Sequence, residues 1–288
     1  MRQKLLFRSD PLAPGAAGTR INITPKKAGW ELIRFGVRQL PAGGTWKGAT
    51  GGSEMCLVLL SGTFRATFAR QEALLGPRAG VFGGYPFALY LPAGSDFRIT
   101  AEEPCELAEC RVPSTAPLAP RVIGPEDCGF EIRGGGNATR QIVDIIRPDF
   151  PADRLLICEV YTPSGNWSSY PPHKHDVDDP PKEVDLEEIY YFRFRDPAAY
   201  GFQRLYGPGH DETLTVEDGD VVVVRDGYHP FVSAYGYDAY YLNVLAGSRR
   251  SMAASDDPRY AGFRSSWPPA DPRVPLVQPP PALRARRA

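Results

Sequence analysis

The chain has 288 residues, with 33 basic and 34 acidic side chains and a formal net charge of −1. That length allows two modest domains with sizeable cores, and the near-neutral balance gives no field that would draw nucleic acid or an anionic membrane. Five cysteines (Cys56, Cys105, Cys110, Cys128, Cys158) contain no CxxC pair, so no disulfide framework is expected and a reducing, cytoplasmic setting is.

The opening MRQKLLFRSD carries charge but no apolar signal-peptide segment, and no apolar run approaches the ~20 residues of a membrane span. Short β signals follow, separated by many of the 29 glycines and 30 prolines. Residues 30–40 read as a partly alternating strand. Gly43–Gly52 reads as a glycine-rich loop. Residues 54–60 (EMCLVLL) form an apolar strand, Ser61-Gly62 a turn, and 63–68 the next strand. Residues 81–82, 88–91, 97–100 and 105–112 complete the first half. The second half repeats the theme at 155–161, 188–194 (EIYYFRF), 202–206, 213–216, 220–224 and 239–245. No long amphipathic helix interrupts them, so the expectation is all-β, as sandwiches or barrels.

The halves correspond in order. Glu54 to Gly62 resembles the strand from Glu188, and Leu91-Pro92-Ala93-Gly94 resembles Val224-Arg225-Asp226-Gly227. This predicts an internal duplication, 1–120 and 125–260, joined by the Pro-rich stretch 113–120. The tail, 261–288, is rich in Pro and Arg without periodicity, and is expected to be disordered or strapped down.

All four histidines fall between positions 173 and 229. His173 and His175 are two apart, so on a strand both imidazoles point into one space. His229 follows Gly227-Tyr228, where an adjacent strand could return it to that space. Glu187 or Glu188 opens the strand between them, and alternation alone does not choose. Three imidazoles and a carboxylate suit one divalent ion: Zn first, with Mn, Fe or Ni as alternatives, and the absence of thiolates argues against a structural zinc site. His210, in a Gly-Pro-Gly turn, reads as a surface histidine.

The set Pro171-Pro172-His173-Lys174-His175, Glu188, and Gly219 with Arg225-Asp226-Gly227-Tyr228-His229 resembles the two-part cupin metal motif, whose spacing favours Glu188 over Glu187. Longer segments, EIRGGGNATRQ (131–141), EVYTPSGNWSSYPPHKH (159–175), LEEIYY (186–191), GYHP (227–230) and YYLNVLAG (240–247), are similar to the 5-deoxy-glucuronate isomerase family of myo-inositol catabolism. The resemblance spans about residues 20–260. It implies a bicupin of two jelly-roll-like barrels, with metal in the second only, and a small-molecule sugar acid as substrate. The activity implied is aldose–ketose isomerisation of 5-deoxy-glucuronate to 2-deoxy-5-keto-gluconate.

Such a reaction needs a Lewis acid at the enediolate oxygens, a proton carrier and a cation for the substrate carboxylate. Glu187 and Tyr190 are candidate bases, with Glu188 as a third if it leaves the metal, and Arg204 and Arg140 are candidate carboxylate partners. Lys174, between the ligand histidines, should point away from them. Ser168 and Ser169 lie in the segment before the ligands, where a sugar-hydroxyl rim could form. Two other readings of the same residues are a cupin dioxygenase with a redox metal and a non-catalytic sugar-binding cupin. A homo-oligomer is expected, since cupins often pair through exposed strand faces.

Overall fold

The computed structural model describes residues 4–13 and 16–285. Its strands, in chain order, are β1 (Leu6–Phe7), β2 (Gly18–Ile23), β3 (Arg34–Leu40), β4 (Thr45–Ala49), β5 (Ser53–Phe68), β6 (Gln71–Arg78), β7 (Ala88–Leu91), β8 (Asp96–Ala101), β9 (Cys105–Pro113), β10 (Arg121–Ile123) and β11 (Glu131–Arg133). They continue with β12 (Arg140–Ile146), β13 (Leu156–Thr162), β14 (Trp167–Ser168), β15 (His173–Lys174), β16 (Leu186–Phe194), β17 (Tyr200–Gly207), β18 (His210–Glu217), β19 (Val221–Val224), β20 (Phe231–Ser233), β21 (Ala239–Gly247) and β22 (Ser255–Asp256).

The duplication is visible strand by strand. One sheet of the first unit runs β10-β7-β5-β9-β3-β2, and its counterpart in the second runs β1-β19-β16-β21-β13-β12-β11. Every pairing in these sheets is antiparallel, as in jelly rolls. The facing sheet of the first unit holds β4, β8, β6 and the far half of β5; that of the second runs β14-β20-β17-β18.

Two compact units result. Among the described residues, one contains 9–13, 16–128, 149–155 and 278–285, the other 4–8, 129–148 and 156–277. These differ from a simple cut between 120 and 125 because β1 pairs with β19, Leu6 opposite Val222, so the start of the chain completes the second barrel.

In each unit the core lies between the two sheets. Met55, Leu57 and Leu59 of β5 meet Leu107, Leu89, Phe97 and Ile99 in the first. Tyr190, Phe192 and Phe194 of β16 meet Val222, Val224, Phe231 and Tyr241 in the second. Complete burial of such a side chain stabilises by about 1.5–3 kcal/mol, so these inner faces hold each barrel shut.

Two local expectations change, and a third resolves between its alternatives. Ser61-Gly62 is no turn: β5 runs unbroken through it, pairing with β7 and β9 before the bend and with β6 and β8 after it. Gly62 has φ +90°, and a Cβ there would lie 2.1 Å from the carbonyl oxygen of Pro104. Only glycine turns this corner. The glycine-rich stretch 43–52 contains β4, whose Trp46 packs on the core and whose Gly48 makes room for the Phe97 ring. The tail is strapped down as far as Val277: Asp271 N donates to Thr139 Oγ1 at 2.9 Å, and Gln141 exchanges two hydrogen bonds with the buried Val277 backbone.

Candidate metal centre

Alternation along β16 decides which glutamate faces the second barrel's interior. Glu188 shares the inner face with Tyr190 and Phe192, whereas Glu187 lies on the opposite face with Ile189 and Tyr191. Glu188 is buried, and its Oε2 stands 3.0 Å from His175 Nε2 and 3.3 Å from His229 Nε2. Ligand atoms of His175, Glu188 and His229 all lie within 4.8 Å of one another. The His173 ring is the outermost of the set, with its centroid 4.9 Å from that of His229 and 6.4 Å from that of His175.

Backbone carbonyls orient all three rings. The Nδ1 atoms of His173, His175 and His229 lie 3.3, 3.0 and 3.1 Å from the carbonyl oxygens of Pro171, Leu186 and Gly227. With Nδ1–H donating to those carbonyls, the Nε2 atoms of His173 and His229 are left as acceptors, the arrangement that metal-bound histidines require, while His175 Nε2 faces the Glu188 carboxylate and donates to it. His229 Nε2 is buried without any hydrogen-bond partner.

Burial pushes the His173 imidazole well below its ordinary value, and the neighbouring His229, His175 and Arg140 push the same way. Burial likewise takes His229 down to about 4. For His175 burial also opposes the charge, but the bond to Glu188 outweighs it and the net shift is upward. A buried neutral imidazole with an orphaned nitrogen, a part-buried one beside it and a third against a carboxylate form a donor set that fits a divalent ion.

The remaining candidates separate by the same alternation. Arg140, on β12, is buried, and its one hydrogen bond runs from Nη1 to the Tyr170 carbonyl at 3.1 Å. Burial lowers it to about 10, and the groups facing it include the phenols of Tyr241 and Tyr190 rather than a carboxylate. Arg204 is not brought to this cluster: it is half-exposed, in a two-toothed pair with Asp211 (2.8 and 2.6 Å), and stacks on Tyr206. Its neighbour Gln203 takes the buried position, 3.5 Å from the His229 carbonyl. Arg204 instead lines an outer groove of about 460 Å³ with Trp167, Tyr170, Tyr260 and Phe263. Lys174 points away from the ring cluster and pairs with Asp176 and Glu183. His210 sits on β18, 3.3 Å from Asp226, away from the cluster.

Tyr190 is buried, with its hydroxyl 2.8 Å from Ser169 Oγ and its ring 5.9 Å from that of His229. Burial raises its pKa well above the ordinary phenol value, which favours the protonated hydroxyl. Tyr241, which sequence reasoning missed, completes this wall: its hydroxyl bonds Ser168, and burial lifts it to about 12. The signal was there in YYLNVLAG, where alternation from Ala239 puts Tyr241 inward. Asp257 was also missed. Its backbone N–H donates to the Pro172 carbonyl at 2.8 Å, its carboxylate accepts from Tyr206 at 2.7 Å, and the adjacent Asp256 pairs with His173 across β15–β22.

Two tandem barrels, with a histidine–carboxylate cluster inside the second, define a bicupin. Oxalate decarboxylase of Lactobacillus farciminis superposes with a TM-score of 0.66 over 89% of each chain at 13% identity, a likeness of fold. An IolB-like protein from Salmonella typhimurium LT2 is much nearer, with a TM-score of 0.87 and 37% identity over 90% of this chain and 99% of its own. The chain belongs to the KduI/IolB family, whose sequence model matches residues 6–263. The 5-deoxy-glucuronate isomerase of Geobacillus kaustophilus is 41% identical over 85% of this chain and 91% of its own, and that of Bacillus licheniformis is 40% identical over 88% and 96%. The protein is an enzyme of the isomerase class. Among the described residues no helix is long and apolar enough to cross a membrane.

Proposed function

We propose that this enzyme converts 5-deoxy-glucuronate to 2-deoxy-5-keto-gluconate, in inositol catabolism, at a divalent metal held by His173, His175, Glu188 and His229. The observation that carries the reading is the convergence of His175 and His229 on the buried Glu188, with the His173 ring beside His229, inside a chain about 40% identical to isomerases of that substrate. A divalent ion at these residues would supply Lewis-acid stabilisation for the oxygens of an enediolate.

The chain's own groups divide the remaining work. Arg140, buried with no carboxylate partner among the described residues, binds the substrate carboxylate, because a buried guanidinium calls for an anion. Tyr190 and Tyr241, both protonated and anchored by Ser169 and Ser168, donate to substrate oxygens. Glu188 carries the migrating proton on Oε1, the oxygen that takes no part in its contacts with His175 and His229. Glu187, on the opposite face of β16, has no such access. The family membership favours this reading over a dioxygenase or a non-catalytic sugar binder on the same residues.

The test is an isomerase assay on 5-deoxy-glucuronate with and without chelator, repeated on His175→Ala. Turnover should vanish with chelator and return on adding back metal. The variant should lose more than the ~10–100-fold that loss of an outer-shell partner costs. A metal-loaded protein that leaves the substrate unchanged would sink the assignment, and oxygen uptake would then be measured.

A further inference from the structure

The first barrel has no histidine, yet its interior is not simply filled. Rows across its inner face can be read from the strand register. Arg34 stands beside Arg111 and Met55, Gly36 beside Glu109 and Leu57, and Arg38 beside Leu107 and Leu59. Met55, Leu57, Leu59 and Leu107 belong to the barrel core. The same inner surface therefore changes from apolar to charged toward one end. There a pocket of about 230 Å³ opens, lined by Arg34, Arg38, Glu109, Arg111, Asn22 and, from the facing sheet, Trp46.

The charges inside are unbalanced: three guanidinium groups face one carboxylate. Glu109 is already paired with Arg111, which also donates to the Ala49 carbonyl at 2.9 Å. Among the described residues the Arg38 guanidinium makes no ion pair or hydrogen bond, although Glu109 attracts it from a distance. Its guanidinium lies 4.2 Å from the centre of the Trp46 ring, and its Nε is buried without a partner. Arg34, at the rim, is exposed and makes no ion pair among the described residues. Guanidinium groups only donate, so the complement to this wall is a small, acceptor-rich anion. The volume lies below the ~300–1,000 Å³ of drug-sized sites and suits a molecule of a few carbons.

We infer that the interior of the first barrel is a second binding site, which takes the oxyanion group of a small acid against Arg34 and Arg38 beside Trp46. A carboxylate of a sugar acid and free phosphate share that chemistry. The inference does not depend on the isomerase reading, since it rests on the other barrel.

The test uses the full chain carrying Arg140→Met, which removes the guanidinium of the second barrel. Glucuronate and inorganic phosphate are titrated separately, and the Trp46 indole N–H resonance, assigned with Trp46→Phe, is followed by NMR. One or both anions should move that resonance with saturation, and the responsive one identifies the source. Adding Arg38→Met should weaken that binding about tenfold or more. Arg34→Gln, at the exposed rim, should weaken it less and serves as the check if Arg38→Met misfolds. A Trp46 resonance unmoved by both anions, or an affinity unchanged in both arginine variants, would overturn the inference.

Discussion

The two barrels each open their long central strand with a buried glutamate, Glu54 in β5 and Glu188 in β16, and the two glutamates lie on opposite faces. Glu188 points inward with Tyr190 and Phe192. Glu54 alternates against Met55, Leu57 and Leu59 and so points out of its barrel, where it accepts from the backbone N–H groups of Asp153, Arg154 and Leu155 and from Tyr90. A shift of one residue along a strand exchanges its faces. The same residue type in near-equivalent strands thus becomes a loop anchor in one barrel and a candidate ligand in the other.

The largest effects should come from exchanging these fates. Glu188→Ala should abolish turnover, by more than about 100-fold, while leaving the melting temperature of the metal-free protein nearly unchanged. Glu54→Ala should do the reverse. It strands four donors, three of them on one loop, and should lower stability by about 3–5 kcal/mol in chemical denaturation, with the folded fraction keeping its kcat. If Glu54→Ala instead removed activity at full stability, the contrast would fail.

Arg140 sharpens the comparison at the next level. Arg140→Lys keeps the charge but loses the planar fork, and should raise KM for the sugar acid about 10–100-fold with a smaller change in kcat. Asp257→Asn should act on stability alone. The bonds from Arg259 and Tyr206 hold this carboxyl at about 2, below its ordinary value. A depressed folded-state pKa means that its contribution is present above about pH 4 and lost as pH falls through 2. The gap between wild type and variant, about 1 kcal/mol at neutral pH, should therefore close in acid, as followed by urea denaturation at several pH values. The smallest effect belongs to Arg204→Ala: an exposed pair with Asp211 contributes about 0–1 kcal/mol, and turnover should change less than about twofold.

Much of this was legible in the sequence. Alternation showed that His173 and His175 share a face, and repeated short strands announced paired barrels. What alternation cannot say is which face is the inside. That depends on the partners across the barrel, so alternation left Glu187 and Glu188 equivalent, with only the likeness to the cupin motif favouring Glu188, and Arg204 looked as good as Arg140. Gly62 read as a turn because a corner and a turn both demand glycine; pairing with β9 before it and β8 after it distinguishes them. The tail carries no periodic signal because its order comes from remote partners, such as Gln141 for Val277.

The carbonyl groups behind the three histidines have a consequence of an evolutionary kind. Each ring is oriented by the main chain of Pro171, Leu186 or Gly227, and main-chain oxygens survive every side-chain replacement. Ring orientation is thus sheltered from most point mutations. The exception is Gly227, whose backbone is left-handed with φ +78° and whose Cβ would lie 2.6 Å from the Tyr206 carbonyl oxygen. At that position a mere change of side chain would displace the carbonyl itself, which makes Gly227, though chemically inert, the spot where drift would reach the chemistry.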